Sequence, residues 1–253
     1  MTQYKIFMSN IGYARGLNGC LKQHLFHSYR HIYCPVHIQK KVLLELKNII
    51  RIEKPDLGCL AEIDKGSLNS SFFNQIEHIL DDNYPYFDIE NKYKEIGYLR
   101  KLPIFSGKCN AFFSKTDIPY RRLFFSNGTK KLIYRIELTN NLILFFTHFS
   151  LNSKVRQKQY QEIKALIKTE NGEILIMGDF NAFKGFDELS SLLEGTNLKI
   201  INDEFLPTFT FHRSKHAIDL CIASSSLIPY LNLKIIDQTF SDHSALLLTI
   251  NQA

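Results

Sequence analysis

The apolar runs of this chain are short, recur without a break from Tyr4 to Ile250, and tend to close on a polar or charged side chain. Asn10, Glu62, His148, Asp179, Asn181, Asp219, Asp242 and His243 each stand at or near the end or the entrance of such a run. A strand buried on both faces reads as a brief continuous apolar segment, so a charged group at its end faces either solvent or a cleft. Taken singly, an Asp after a strand is most often a turn former or a helix cap. Eight such positions together are harder to explain one at a time.

The pattern between those positions predicts many strands and few helices. Tyr4 to Met8 alternates like a half-buried strand, and Val36 to Glu53 carries Val42, Leu43, Leu46, Ile49 and Ile50 at helical spacing, with Pro35 ahead of it and Pro55 beyond it. Leu57 to Glu62 reads as a buried strand, and Phe72, Phe73, Ile76, Ile79 and Leu80 predict a second helix. Strands are expected over Cys109 to Ser114, Arg121 to Phe125, Leu132 to Leu138 and Leu142 to His148, the last two joined by a turn at Asn140 and Asn141. A helix from Lys154 to Lys168, a strand at Ile174 to Gly178 and a short helix near Leu189 to Leu193 follow. Further strands are expected at Phe209 to Phe211, Ala217 to Ala223, Leu233 to Ile236 and Ala245 to Ile250. No linker or repeat divides the 253 residues, so a single domain over 1–253 is expected, with two packed sheets and helices outside.

With 45% hydrophobic and 13% aromatic residues the chain has ample core, which excludes disorder and small disulfide scaffolds. A net charge of +6 is mild, but suits a phosphate-bearing substrate. Five cysteines at irregular spacing, with Cys59 and Cys221 inside apolar runs, read as free thiols. No signal peptide or membrane span is visible, and a cytoplasmic monomer is expected.

Six strand-end motifs then fall in one order: Met8-Ser9-Asn10, Cys59-Leu60-Ala61-Glu62, Thr147-His148, Gly178-Asp179-Phe180-Asn181, Ile218-Asp219 and Ser241-Asp242-His243. In that order the sequence resembles the endonuclease/exonuclease/phosphatase superfamily, also called deoxyribonuclease-I-like, across nearly the whole chain. Asn110 before an apolar strand, Arg156 and Gln159 after His148, and Pro207-Thr208-Phe209 ahead of Asp219 add to the likeness. The resemblance implies a four-layer α/β/β/α sandwich of two mixed β-sheets and a metal-assisted hydrolysis of a phosphate ester. It also implies Mg2+, with Mn2+ as a substitute, held by Glu62 with Asn10 and Asp242 close by. Carboxylate and amide oxygens are the hard ligands that ion prefers.

Asp179 and Asn181 are two apart, so in an extended segment they project to one side, one to take a proton from an attacking water and the other to donate to a phosphoryl oxygen. Asp219 and His243 look like the family's coupled pair, a carboxylate fixing the tautomer of an imidazole. His243 is favoured as general base, with Asp179 as the alternative, and His148 is expected at the phosphate or leaving group. Arg15, Asn110, Arg156 and Arg213 are the expected substrate contacts.

Some positions depart from the family pattern. Ala217 stands where Arg or Lys often precedes the Ile-Asp element, Gly12 where abasic-site enzymes tend to place Asp, and there is no Trp. Those departures count against abasic-site repair, and Thr147-His148 with Arg156 and Gln159 after it looks more like the branch of phosphodiesterases acting on DNA ends, RNA tails, phospholipids or sphingolipids. His24, His27, His31 and Cys34 would share one helix face, a spacing that permits zinc, although a solvated helix or a substrate-facing loop is preferred. Arg121-Arg122, followed by Leu-Phe-Phe, and Lys130-Lys131 suit nucleic-acid contact, although an exposed edge kept soluble by charge is preferred. A phosphodiester is preferred to a monoester because no Lys/Arg cluster marks a dianion pocket, and DNA or RNA is the first substrate class. The alternatives are a phosphatase or phospholipase C-like hydrolase on phosphoinositide or sphingophospholipid, and a non-catalytic binding module.

Overall fold

A computed structural model describes residues 3–93, 101–139 and 141–251. One sheet has the order β13-β14-β1-β2-β4-β3. Its strands are β1 (Gln3–Asn10), β2 (Leu57–Asp64), β3 (Tyr86–Asn91), β4 (Lys108–Ser114), β13 (Leu231–Ile236) and β14 (Ala245–Asn251). The other sheet has the order β5-β6-β7-β8-β12-β9. It contains β5 (Tyr120–Phe124), β6 (Leu132–Thr139), β7 (Leu142–His148), β8 (Glu173–Asp179), β9 (Leu198–Ile200) and β12 (Asp219–Ser224). A separate hairpin pairs β10 (Phe209–Phe211) with β11 (Ser214–His216). The helices are α1 (Leu21–His27), α2 (Val36–Glu53), α3 (Ser153–Ile167) and the single turn α4 (Ser190–Leu193).

Period-two alternation sorts the strand side chains into three apolar layers. Ile6 and Met8 of β1 and Leu246 and Leu248 of β14 point inward, where they meet Phe146 of β7 and Leu175 and Met177 of β8. Phe7 and Leu247 point outward onto Val42, Leu43, Leu46 and Ile50 of α2. On the far side Phe145 and Ile176 pack against Tyr160, Ile163 and Ile167 of α3. The result is the expected sandwich of two mixed sheets between helices. Its two parallel pairings, β1 with β2 and β7 with β8, bracket α2 and α3 in sequence, as a parallel connection requires.

This topology gathers the strand ends. The parallel pairs bring Asn10 beside Ala61 and His148 beside Asp179. Antiparallel β14 starts where β1 stops, and antiparallel β12 opens with Asp219 opposite Asp179. Gly178 lets β7 and β8 come this close, since a Cβ there would lie 1.8 Å from the Thr147 carbonyl oxygen.

The expected second helix does not form. Ser71 and Phe72 have φ of +59° and +57°, which breaks a helix at its start, and a single 3-10 turn at Ile76–His78 suffices to bury Ile76 and Ile79. Strand β3 was not foreseen, because Asp88 and Glu90 give it the look of a loop. Both carboxylates are buried and held by Arg122, with Asp88 Oδ2 and Glu90 Oε2 each 2.7 Å from its nitrogens. The hairpin joining β6 and β7 forms, although Asn140 of its expected turn lies outside the described residues. The cysteines are free, four buried and Cys20 exposed. Among the described residues no helix is long and apolar enough to cross a membrane.

Candidate active site

Contacts between side chains run without a gap from one sheet to the other. Asn10 Nδ2 donates to Asp179 Oδ2 at 3.0 Å and lies 3.4 Å from His243 Nε2. His243 Nδ1 is 2.7 Å from Asp219 Oδ2, and His148 Nε2 is 3.2 Å from Asp179 Oδ2. His148 Nδ1 in turn lies 3.9 Å from Glu62 Oε1. Side chains separated by up to 233 positions thus share one crevice.

Glu62 is presented by a kink. The register of β2 against β4 shifts between Leu60 and Ile63, Glu62 takes φ of +54°, and its N–H donates to Asn110 Oδ1 at 3.3 Å. Such bulges re-aim side chains beside active sites. The Asn110 oxygen therefore holds the Glu62 backbone in this kink. Asn181 also leaves the extended region, with φ of +52°, so the expected same-side projection with Asp179 does not hold. Its N–H instead turns back onto Asp179 Oδ1 at 3.0 Å and its amide donates to the Phe149 carbonyl at 2.9 Å.

The electrostatics divide these groups into fixed states. Burial would push the Glu62 carboxyl up, but Lys92 and Lys130, followed by Arg15, hold it well below the usual range. Burial likewise opposes ionisation of Asp179, and a hydrogen bond from His148 with the charges of His243 and Lys130 overcomes it. His148 is lowered to about 4, by burial first and by Lys130 second, and is neutral. Burial raises Asp219, and His243 is raised in spite of its own burial because Asp219, Asp179 and Asp242 surround it. The pair shares a proton that favours the imidazole, leaving His243 cationic. Asp219 Oδ1 and His148 Nδ1 are buried without a partner.

Two lysines complete the centre, and neither was expected there. Lys92 Nζ lies 3.3 Å and Lys130 Nζ 3.7 Å from Glu62 Oε1, with Lys92 also on Tyr13 Oη and Lys130 on His148 Nε2. Lys130 was read as part of an exposed edge, but it is folded inward by Gln159, whose Nε2 donates to its carbonyl at 2.8 Å. Lys92 follows the end of β3 and Lys130 precedes β6, so the strand-end rule that located the carboxylates would have found both once β3 was recognised. The cationic cluster that the sequence appeared to lack is Lys92 and Lys130 with Arg15 beyond them, so its absence no longer argues for a phosphodiester over a monoester.

Other expected contacts fall elsewhere. Arg156 is buried and donates to the Ser150 and Leu151 carbonyls at 2.9 and 3.0 Å while pairing with Glu188, so it braces α3 instead of meeting a substrate. Arg213 is exposed at the tip of the β10–β11 hairpin, whereas Arg15 stays close enough to act on Glu62, with Nη1 3.3 Å from His31 Nδ1. The histidine run does not form a zinc site. His24 and His31 stack with centroids 5.9 Å apart, Cys34 is buried with its thiol toward Ala14 O, and no such group occurs among the described residues that could hold metal.

A model of the Endonuclease/Exonuclease/phosphatase family matches residues 39–243. The chain belongs to that family. Its fold is that of solved relatives at low identity: an endonuclease/exonuclease/phosphatase from Beutenbergia cavernae (TM-score 0.69, 14% identity, covering 99% of this chain and 72% of that one) and a truncated TDP2 from Caenorhabditis elegans (0.64, 15%, 99% and 98%). The endonuclease domain of TRAS1, a telomere-specific non-LTR retrotransposon, is similar as well (0.62, 14%, 99% of each). No curated protein matches it in sequence.

Enzymes of the family generally use divalent metals. The residues present fit such an ion. Burial raises the Asp242 carboxyl, His243 lowers it and the charge of Glu62 raises it, so the two carboxylates act on one another. Asn10 Oδ1 already accepts from Gly12 N at 3.1 Å and keeps one lone pair. Among the described residues, the acidic and histidine groups whose ligand atoms all lie within 4.8 Å of one another are Asp179, Asp219 and His243. That trio is a weaker seat, because the Asp219 to His243 proton would have to be displaced.

Proposed function

We propose that this protein is a divalent-metal-dependent phosphoesterase that cleaves a phosphodiester of nucleic acid, with Mg2+ as the resident ion. The supporting observation is the unbroken set of contacts from Glu62 through His148, Asp179 and Asn10 to the His243 and Asp219 pair. Glu62 and Asp242, with Asn10, would hold the ion, which supplies a Lewis acid for a phosphoryl oxygen.

The remaining steps belong to the chain. Lys92, Lys130 and Arg15 take the non-bridging oxygens and draw the phosphate into the crevice. Cationic His243, oriented by Asp219, stabilises charge as it grows on the phosphorane. Asp179 accepts a proton from the attacking water, since His243, protonated on both ring nitrogens, has no lone pair to offer. Neutral His148 stands at the leaving group.

Turnover of bis(4-nitrophenyl) phosphate with Mg2+ or Mn2+ tests this reading. Glu62→Ala should lose at least about a hundredfold while keeping the wild-type melting curve, since it removes a ligand and no core group. Near-normal turnover by that variant would refute the metal assignment, and no turnover of any phosphate ester by the wild type would refute the reaction.

A further inference from the structure

A second concavity of about 620 Å3 adjoins Asp242, between the turn at residues 18–21 and Thr210, His212 and Arg213 of the β10–β11 hairpin. Its walls are pinned together. His212 N donates to Gly19 O at 2.7 Å and Thr210 N to Asp242 O at 2.8 Å. Leu17 pairs with Ser241 in an isolated parallel bridge. Position 19 must be glycine for this closeness, because its φ is +76° and a Cβ would come 1.8 Å from the Thr210 carbonyl oxygen.

The walls have a consistent chemistry. His212 stacks on Phe211 with centroids 4.2 Å apart, and His24 meets the two rings edge-on at 5.4 and 4.8 Å. Arg213 is exposed beside them. The first 44 residues, which supply the facing wall and α1, contain no Asp or Glu but include Arg15, Lys22, Arg30, Lys40 and Lys41. The His212 ring, backed by Phe211, stands beside the Arg213 guanidinium and faces a wall from a segment free of carboxylates, a lining that complements a group aromatic and anionic at once.

We propose that this concavity is a subsite for the base of the nucleotide next to the scissile phosphate, and that the substrate is therefore single-stranded nucleic acid. The proposal rests on the phosphodiesterase reading above. Stacking on aromatic faces binds any base, and Arg213 takes the following phosphate by its planar fork. A base inside a duplex is already stacked and paired, so only a single strand or a frayed end can fill the site at low cost. The competing occupant is an anionic lipid surface, to which the exposed Leu25, Phe26 and Ile32 on and after α1 would also appeal. The stacked rings and the walled shape favour the base.

Cys20, the exposed cysteine on the pocket lining, provides a probe that needs no metal and no turnover. The wild-type protein in EDTA is alkylated with iodoacetamide and followed by mass spectrometry. A short fluorescein-labelled oligothymidylate should slow alkylation of Cys20 at least about tenfold, whereas an abasic phosphodiester chain of equal length should not. Phe211→Ala and Arg213→Ala, both at exposed positions, should each raise the Kd of the oligonucleotide about tenfold by anisotropy. Unchanged alkylation at saturating oligonucleotide, equal protection by the abasic chain, or protection by phosphatidylserine vesicles would overturn the subsite. Hydrolysis of the oligonucleotide with Mg2+ but without protection would sink the subsite and leave the reaction intact. Protection without turnover of any phosphate ester would do the reverse.

Discussion

Glu62, in the bulge of β2, and Asn181, just past β8, both hold left-handed backbone, at φ of +54° and +52°. Non-glycine residues rarely adopt that region, and the cost persists only where surrounding contacts fix it. Here those contacts are the Asn110 oxygen for Glu62 and the Asp179 carboxylate for Asn181. A second polar knot lies just past Glu62, where buried Asp64 accepts from Gly66 N at 2.9 Å and from Lys108 Nζ at 3.1 Å. Burial would raise its carboxyl, but Lys108 and Ser67 hold it below its ordinary 3.8. Lys108 is itself lowered by burial in spite of Asp64, so the pair is a poor source of net stability although breaking it is costly. Asp64→Asn should therefore cost about 3 to 5 kcal/mol in urea unfolding at neutral pH. A carboxylate depressed in the fold stabilises above its unfolded value, so the gap between wild type and variant should narrow as pH falls below 3.8. A gap that stays constant down to the acid transition would contradict this account.

The elements show why some features could be read in advance and others could not. Each Asp, His or Glu of the centre was visible because strands end abruptly in sequence, and the glycine of Gly178-Asp179-Phe180-Asn181 has a packing cause in the approach of β7 to β8. Gly178→Ala should push these strands apart in the row that bears His148 and Asp179, at a cost of about 1 to 3 kcal/mol. Activity should fall more than the loss of folded protein explains, as measured by turnover normalised to circular dichroism. Strand β3 and the inward turn of Lys92 and Lys130 were hidden because charged residues are read as solvated until their partners are known. Arg156 was misjudged for the opposite reason: a helix position fixes which residues share a face, not which partner a long side chain finds. Arg156→Ala should destabilise by about 3 to 5 kcal/mol, since it leaves Glu188 unpaired at a site where its side chain is only 8% exposed. KM for a phosphodiester should be unchanged, and a raised KM at constant stability would restore Arg156 to the substrate.

At the scale of the molecule, the candidate centre is a seam between two sheets rather than a feature of either. Two packed sheets with helices outside were expected from the strand pattern, yet which strands join which sheet and how closely the sheets meet follow from packing that no local pattern encodes. The direct link from Asn10 on β1 to Asp179 on β8 depends on that packing. Leu175 lies in the layer between the sheets, and Ile163 lies between the second sheet and α3. Both are fully buried, so truncating either to Ala should cost a similar 2 to 5 kcal/mol, about what a lost core methyl cluster costs. Their effects on catalysis should differ. Relaxation around Leu175→Ala shifts one sheet against the other and moves Asn10 relative to Asp179, and a displacement of about 1 Å at a reacting centre can lower a rate a hundredfold. Relaxation around Ile163→Ala shifts α3 on the outside and leaves the seam in place. Steady-state turnover below the melting transition of both variants should show at least about a tenfold larger drop in kcat for Leu175→Ala than for Ile163→Ala. Equal drops would mean that the centre is held by its own hydrogen bonds and is indifferent to how the sheets pack.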